Sequence, residues 1–368
     1  MTQTATTQDR NPVQFFLPGP TWVPESVLHA MTRQPVGHRS PEFKTLYQSV
    51  SARLQQVFRT SRDVVTTTSS GSLCWEIALT SSIRSSVLCL TNGAFSERFL
   101  TVAKCLGLDV DQIAVPWGQP IDPELVRDAL RRKSYEAVTL AHNETSTGVL
   151  SPLAEIAEVV RSESDAMVFV DAVSSLAGAE LEPEAWGLDF VFTGSQKALA
   201  LPPGLAFFSV SERFEQRAAE IEHRGYYTDA LRFLEKHRGG STVTTPAVCT
   251  VYALDHQLDR ILDEGMEARW ERHRTMRLRT EAWVADSGFR YVSAPEGASP
   301  TVSCVAPPEG IEAPEVVSRL KDQGIVVGGG YGKWKPTSFR IGHMGEVRPS
   351  DLEALLAAID GVTTAAAV

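Results

Sequence analysis

One lysine of this chain stands where a lysine could act as a nucleophile. Lys197 follows the apolar stretch 188–193, which predicts a buried strand, and it precedes a Pro-Pro-Gly turn at 202–204. Burial lowers the pKa of a lysine, and the neutral amine forms Schiff bases with carbonyl compounds. This stretch alone favours an ordinary lysine whose stem packs and whose ammonium group reaches water. Residues elsewhere in the chain change that balance.

An aspartate ends another apolar stretch. Asp171 follows residues 166–170, and a buried carboxylate is costly unless a cation or hydrogen-bond donors accompany it. One interpretation is a turn cap. The other is a partner for the protonated ring nitrogen of pyridoxal 5'-phosphate (PLP), whose aldehyde is a common partner of reactive lysines. Both interpretations of Lys197 and of Asp171 stay open at this point, and the functional ones would make PLP the cofactor and both residues catalytic.

A turn rich in small hydroxyl residues joins a predicted strand at 63–68 to a helix that begins near residue 73. Its sequence is Ser69-Ser70-Gly71-Ser72. Free backbone N–H groups at the start of a helix bind anions such as phosphate. The turn contains neither the dinucleotide fingerprint nor the P-loop motif, and by itself it is more typical of a simple turn and cap.

An arginine interrupts the apolar stretch near the end of the chain. Arg340 lies between Phe339 and Ile341 in a predicted strand at 337–342. A buried arginine must be paired, because an uncompensated buried charge costs several kcal/mol. The sequence leaves two roles open, an internal salt bridge and a bidentate contact with a substrate carboxylate.

The elements that must position these residues alternate between strand and helix. This alternation, with nearly continuous apolar strands, predicts an α/β fold with a mainly parallel sheet covered by helices. Ligands bind such sheets at the carboxyl ends of the strands. Residues 70–72, Phe95, Thr145, Asp171 and Lys197 all fall at such ends, and this coincidence is stronger evidence than any single motif.

The length of 368 residues favours about two domains. We predict an N-terminal arm at 1–20, a large domain at 21–262 and a smaller α/β domain at 263–368. The arm is expected to be irregular around its prolines, and the polar and aromatic segment 223–240 is also expected to be irregular.

Composition excludes several classes of partner. The formal net charge of −10 argues against nucleic acid or an anionic membrane as the main partner. The five cysteines are scattered without metal-ligand spacing, which indicates reduced thiols in a cytoplasmic protein and no metal site. The first residues lack the apolar core of a signal peptide, and no stretch has transmembrane length.

Taken together, the motifs resemble those of class V aminotransferases, PLP-dependent enzymes of fold type I, and most of all the alanine–glyoxylate and serine–pyruvate branch. The resemblance covers nearly the whole chain. It rests on segments in family order, of which Gly-Ser-Gln-Lys with an upstream aspartate is the most specific: 18–21, 37–39, 70–72, 144–148, 171–175, 194–197 and 339–342. It implies a large domain with a mainly parallel seven-stranded sheet and a smaller C-terminal α/β domain.

The resemblance also implies a role for each matching position. Lys197 would carry the Schiff base, Asp171 would pair with the pyridinium, Arg340 would hold the substrate carboxylate, and Gly19 would also lie at the substrate. The other implied cofactor-binding residues are Ser70, Gly71, Ser72 and Gln196 at the phosphate, Phe95 and Val173 at the ring faces, and Thr145 at the ring hydroxyl. Thr244, or alternatively Thr245, would reach the phosphate from the opposite subunit of a homodimer with shared sites. Ser241 stands where some relatives have a tyrosine.

The implied reaction moves an amino group from a small amino acid, such as alanine or serine, to a 2-oxo acid such as glyoxylate or pyruvate. A 2-aminoethylphosphonate-type transaminase is an alternative, because Arg39 could serve a second anion. Another PLP reaction on the same fold, such as that of a lyase, a decarboxylase or an epimerase, and a non-catalytic PLP-binding protein also remain open. The donor and acceptor depend on how residues 223–240 and 328–331 line the entrance.

Overall fold

The structure is a computed structural model that describes residues 14–364. Its strands are β1 (Phe15–Phe16), β2 (Val64–Thr67), β3 (Ser86–Thr91), β4 (Asp109–Ala114), β5 (Ala137–Ala141), β6 (Asn143–Glu144), β7 (Val149–Leu150), β8 (Met167–Asp171), β9 (Phe190–Gly194), β10 (Ala206–Val210), β11 (Arg290–Tyr291), β12 (Val302–Ala306), β13 (Val326–Gly329) and β14 (Phe339–Gly342).

The helices follow the strands in regular alternation through the first half of the chain. They are α1 (Glu25–Ala30), α2 (Pro41–Phe58), α3 (Gly71–Ser82), α4 (Ala94–Cys105), α5 (Pro123–Arg132), α6 (Leu153–Glu163), α7 (Glu212–Ala219), α8 (Ala230–Arg238), α9 (Val248–Glu264), α10 (Met266–Ser287), α11 (Ala313–Asp322) and α12 (Pro349–Thr364). None of these helices is both long and apolar enough to cross a bilayer.

The larger sheet has seven strands in the order β2-β10-β9-β8-β5-β3-β4. β10 is antiparallel to both of its neighbours, and the other pairings are parallel. In β8, Val168 and Val170 pack into one apolar cluster, whereas Met167 and Phe169 pack into another on the opposite face. Because side chains alternate across a strand, helices on both faces bury every residue of β8. The predicted α/β fold with a mainly parallel seven-stranded sheet is confirmed.

The smaller sheet contains a strand that the sequence analysis missed. Its order is β1-β13-β14-β12-β11, and Phe15 and Phe16 pair in parallel with Val326 and Val327. The prediction of an irregular arm was therefore wrong for these two residues. The prolines that suggested it come later in the chain, and Phe16 is fully buried against the C-terminal part of the molecule.

The prediction for residues 223–240 was also wrong in part, because α8 lies inside this segment. The carboxylate of Asp229 accepts hydrogen bonds from the backbone N–H groups of Leu231 and Arg232 and so caps the helix. Phe233 and Leu234 are buried, while the last turn is basic. The abundance of charged residues concealed this short apolar face.

The division into domains stays a prediction. The predicted boundary between residues 262 and 263 falls in the last turn of α9, shortly before Gly265 separates α9 from α10. The predicted arm also includes residues 1–13, which lie outside the described part of the chain.

Candidate active site

A cavity of about 290 Å³ opens at the carboxyl ends of the central strands. It brings together ten of the residues that the sequence singled out, and it adds five others. The predicted residues are Gly19, Ser70, Gly71, Ser72, Phe95, Thr145, Asp171, Val173, Gln196 and Lys197, and the additional ones are Pro20, Trp75, Arg98, Asn143 and Pro203.

Lys197 projects into this cavity from a tight turn that follows β9. The hydroxyl of Ser195 donates to the carbonyl of Pro202 over 2.7 Å, which closes the turn. The lysine is only 8% exposed, and its amine donates to the carbonyl of Pro18. Burial, and secondarily the positive charge of Arg340, lowers the pKa of Lys197 to about 8. A substantial fraction of the amine is therefore neutral near physiological pH.

Gly19 forms the opposite wall of the space that Lys197 occupies. Its φ is +103°, and a Cβ at this position would lie 2.3 Å from Cδ of Lys197. The arm continues across the lysine, since the N–H of Thr21 donates to the carbonyl of Gln196 over 3.0 Å. The positive φ favours glycine at position 19, and a Cβ there would displace the side chain of Lys197.

Asp171 ends β8 and faces the same cavity. The indole N–H of Trp75 donates to Oδ2 over 3.0 Å, and the N–H of Val173 donates to Oδ1 over 2.9 Å. Burial raises the pKa of Asp171 to about 6, although these two donors oppose the shift. The carboxylate is oriented by protein donors and remains able to accept a further hydrogen bond from a cation.

The N-terminus of α3 opens onto the cavity without a cap. Ser70 occupies the N-cap position, but its side chain makes no capping hydrogen bond. The first N–H groups of a helix have no partner within the helix, so they are available to a ligand here. Together with the helix dipole they form a site suited to a phosphate.

Phe95 is held in place by a glutamate that the sequence analysis did not assign. Glu144 is fully buried, and its Oε2 accepts from the N–H groups of Phe95 and Ser96 over 3.0 and 2.8 Å. A Cβ on Gly93 would lie 2.4 Å from Cγ of Glu144. Glu144 therefore caps α4 and fixes the position of Phe95. Its neighbour Thr145 hydrogen-bonds to the hydroxyl of Ser174 over 2.5 Å.

Arg340 lies next to the cavity, on β14 of the smaller sheet. It donates to the carbonyl oxygens of Gly329 over 2.9 Å and Thr145 over 3.2 Å, and its guanidinium lies 5.2 Å from the ring centroid of Tyr331. Among the residues described, no carboxylate lies within ion-pair distance of Arg340, and burial lowers its pKa. The internal salt bridge that the sequence left open is not formed.

Thr244 is a predicted cofactor-binding residue that does not line this cavity. It is exposed on the loop before α9, where its carbonyl accepts from the hydroxyl of Thr242 over 2.8 Å, and it does not line the cavity. Within one chain, Thr244 is thus separate from the other predicted residues.

A larger cavity of about 450 Å³ lies elsewhere, beside Trp270 and Arg274. It is lined by none of the residues that the sequence predicted for chemistry, so chemical content and not volume identifies the candidate site. Within residues 14–364, no group of three or more histidines, cysteines or acidic residues is placed to hold a metal ion.

Comparison with known proteins gives the family. The sequence matches the family model described as aminotransferase class-V over residues 13–354. The chain belongs to the class V aminotransferases. Fold type I, PLP as cofactor and transfer of an amino group to a 2-oxo acid follow for this chain. The prediction of a PLP-dependent transaminase is confirmed.

Individual class V aminotransferases match over almost their whole length. Alanine–glyoxylate aminotransferase 1 of Saccharomyces cerevisiae is 34% identical over 361 residues, which cover 90% of this chain and 91% of the yeast protein. Serine–glyoxylate aminotransferase of Methylorubrum extorquens is 32% identical over 357 residues, with 93% and 89% covered. The crystal structure of pyridoxamine–pyruvate aminotransferase from Mesorhizobium loti has a TM-score of 0.91 at 30% identity, with 98% and 94% covered.

Proposed function

We propose that this aminotransferase moves the amino group of a small amino acid, such as alanine or serine, to glyoxylate or pyruvate, with the cofactor attached to Lys197. The names of the three relatives, which contain alanine, serine, glyoxylate and pyruvate, support these substrate classes. The observation that carries the proposal is the buried amine of Lys197 in one cavity with the carboxylate of Asp171.

The residues of the cavity fit PLP. When bound, PLP supplies an aldehyde that condenses with amines and a ring that accepts electrons. The open N-terminus of α3 suits the phosphate, with Gln196 beside it. Phe95 and Val173 line the cavity and would hold the two ring faces, and Thr145 would lie at the ring hydroxyl. Asp171, oriented by two donors, would accept the hydrogen bond of the ring N–H.

Lys197 and Arg340 act on different parts of the substrate, the Cα–H bond and the α-carboxylate. Since its pKa is about 8, the amine of Lys197 can take up a proton from Cα and return it near neutral pH. Arg340 has a guanidinium without a carboxylate partner among the described residues, and its planar fork suits the α-carboxylate. Holding that carboxylate orients the Cα–H bond towards the lysine.

We further propose a homodimer with shared sites in the cytoplasm. Thr244 is exposed and does not line the cavity of its own chain, as expected for a residue that contacts the cofactor of a partner subunit. The five cysteines form no disulfide, which supports a reducing compartment.

The decisive experiment is to fix the cofactor with borohydride and to map the modified peptide. The purified protein should be yellow, and the reduced adduct should be found on Lys197. The matched control is Lys197→Ala, which should yield no adduct in the same peptide. An adduct on another lysine, or none, would refute the proposed role of Lys197.

A donor screen distinguishes the substrate classes. Alanine, serine and 2-aminoethylphosphonate would each be tested with glyoxylate and with pyruvate. We expect turnover with the amino acids, because the planar fork of Arg340 suits an α-carboxylate, which 2-aminoethylphosphonate lacks. Turnover of the phosphonate alone would replace the proposed donors with that alternative.

A further inference from the structure

An arginine that lines the cavity, Arg98, has no part in the functions assigned so far. Arg98 lies on α4, one turn after Phe95, and its guanidinium lies 5.1 Å from the ring centroid of Phe95. Its Nη2 donates to the hydroxyl of Tyr331 over 3.2 Å. The side chain is otherwise exposed to the cavity mouth, so it is accessible to a ligand.

The positive charge of Arg98 is not neutralised by the protein. Within residues 14–364, no carboxylate forms an ion pair with it, and the adjacent Glu97 instead accepts from the indole N–H of Trp117 over 2.9 Å. The two acidic groups nearest the cavity are already engaged. Glu144 accepts from backbone N–H groups of α4, and Asp171 accepts from Trp75 and Val173.

Tyr331 connects Arg98 with Arg340. The ring centroid of Tyr331 lies 5.2 Å from the guanidinium of Arg340 and 5.5 Å from the ring centroid of Phe95, while its hydroxyl accepts from Arg98. Two guanidinium groups, one on helix α4 and the other on strand β14, therefore flank one tyrosine. A ligand with one carboxylate uses only one of them, whereas a dicarboxylate can use both.

We infer that Arg98 binds the side-chain carboxylate of a dicarboxylic substrate, an amino donor such as aspartate or glutamate or the corresponding 2-oxo acid. The inference rests on the proposed function, in which Arg340 holds the α-carboxylate. One half of the reaction then uses a small monocarboxylic substrate, and the other half uses a dicarboxylic one. Arg98 determines specificity for the dicarboxylic substrate and takes no part in bond breaking.

The test compares the holoenzyme with Arg98→Gln and with a matched control, Lys104→Gln. Lys104 is an exposed cation in the last turn of the same helix and does not line the cavity. Single-turnover half-reactions with aspartate, glutamate and alanine would be followed by the absorbance of the cofactor. For Arg98→Gln we expect kcat/KM for the dicarboxylic donors, relative to alanine, to fall at least about tenfold, as for a lost charge-assisted hydrogen bond. Lys104→Gln should leave this ratio unchanged.

A binding measurement supplies a readout that does not depend on turnover. In calorimetric titrations of the holoenzyme, succinate should bind more tightly than butyrate, and Arg98→Gln should abolish the difference. An equal loss for aspartate, glutamate and alanine would overturn the inference, and so would a wild-type enzyme that does not react with dicarboxylic donors. Loss of PLP from Arg98→Gln would assign the arginine to the cofactor instead. If no donor reacts with the wild type, the proposed function itself fails.

Discussion

Burial holds the pKa of Asp171 at about 6, so the cofactor-free protein keeps part of this carboxyl group protonated in mildly acidic solution. The pKa in the folded state lies above the unfolded value. Asp171 therefore stabilises the cofactor-free fold most fully below the unfolded pKa, and this contribution is lost as the pH rises through about 6. A cation beside the carboxylate, such as a ring N–H, would oppose the shift.

The pH dependence of the unfolding free energy tests whether the pKa of Asp171 is raised in the cofactor-free protein. Between about pH 5 and about pH 7, the unfolding free energy of the cofactor-free wild type should fall by about 1 kcal/mol more than that of Asp171→Asn. Urea titrations at several pH values measure the difference. Glu144 and Lys197 are present in both chains, so their contributions cancel to first order. Parallel curves for the two proteins would show that the pKa of Asp171 is not raised.

Replacing Arg340 should impair the reaction with amino acids without unfolding the protein. Arg340→Lys should fold and keep its yellow cofactor, because the arginine contacts only carbonyl oxygens and an aromatic ring among the described residues. Its kcat/KM for amino acids should fall by a factor that corresponds to about 2 kcal/mol or more of lost transition-state stabilisation, since lysine cannot form the bidentate contact. For an amine that lacks a carboxylate the loss should be small. Equal losses for both kinds of donor would make Arg340 structural.

At the scale of elements, the sequence predicted those site residues that belong to the ends of strands. Lys197 and Asp171 each follow a clear apolar stretch, and parallel strands bring such ends to one edge of a sheet. Trp75 and Glu144 were missed. Trp75 reaches an aspartate 96 positions away, and Glu144 reaches a helix terminus 49 positions earlier. Such contacts depend on how elements pack, which periodicity does not reveal.

Helix α10 braces the turn that carries Lys197. Arg269 on this helix is fully buried and donates to the carbonyl of Ala198 over 2.8 Å and to that of Ala177 over 3.1 Å. It also pairs with Glu346 over 3.0 Å, whose pKa is lowered to about 2. Burial of Glu346 opposes that shift, and the charge of Arg269 is the largest cause that lowers it.

Removing the buried contacts of Arg269 should lower the unfolding free energy. Arg269→Met leaves Glu346 and two carbonyl oxygens short of donors, so the unfolding free energy should fall by about 3–5 kcal/mol. The matched control is Arg279→Met on the same helix, where the arginine pairs with Glu353 at the surface. That change should cost less than about 1 kcal/mol. Denaturant unfolding of both variants measures the two losses, and similar values would show that the buried network contributes little.

At the scale of the whole molecule, the alternation of strands and helices was enough to predict the larger sheet. The smaller sheet was harder, because β1 pairs with β13 across most of the length of the chain. Nothing local to Phe15 and Phe16 indicates which edge they join. The same limit applies to Thr244, whose proposed task depends on a second copy of the chain. Surface position alone does not say what a residue contacts in a partner subunit.

Mixing two inactive or impaired variants tests the shared site directly. A dimer of Lys197→Ala with Thr244→Ala has one site that lacks both groups and one site that is intact, if Thr244 serves the partner subunit. With random pairing in a symmetric dimer, the mixture should reach about a quarter of wild-type activity. If Thr244 has no role, the Thr244→Ala homodimer is as active as the wild type. If Thr244 acts within its own chain, the same mixture has no intact site. Its activity would then equal the sum of the two homodimers, and that result would contradict sharing. Co-expression of the two variants with different affinity tags allows the heterodimer to be purified, and because one of its two sites is intact it should reach about half of wild-type activity.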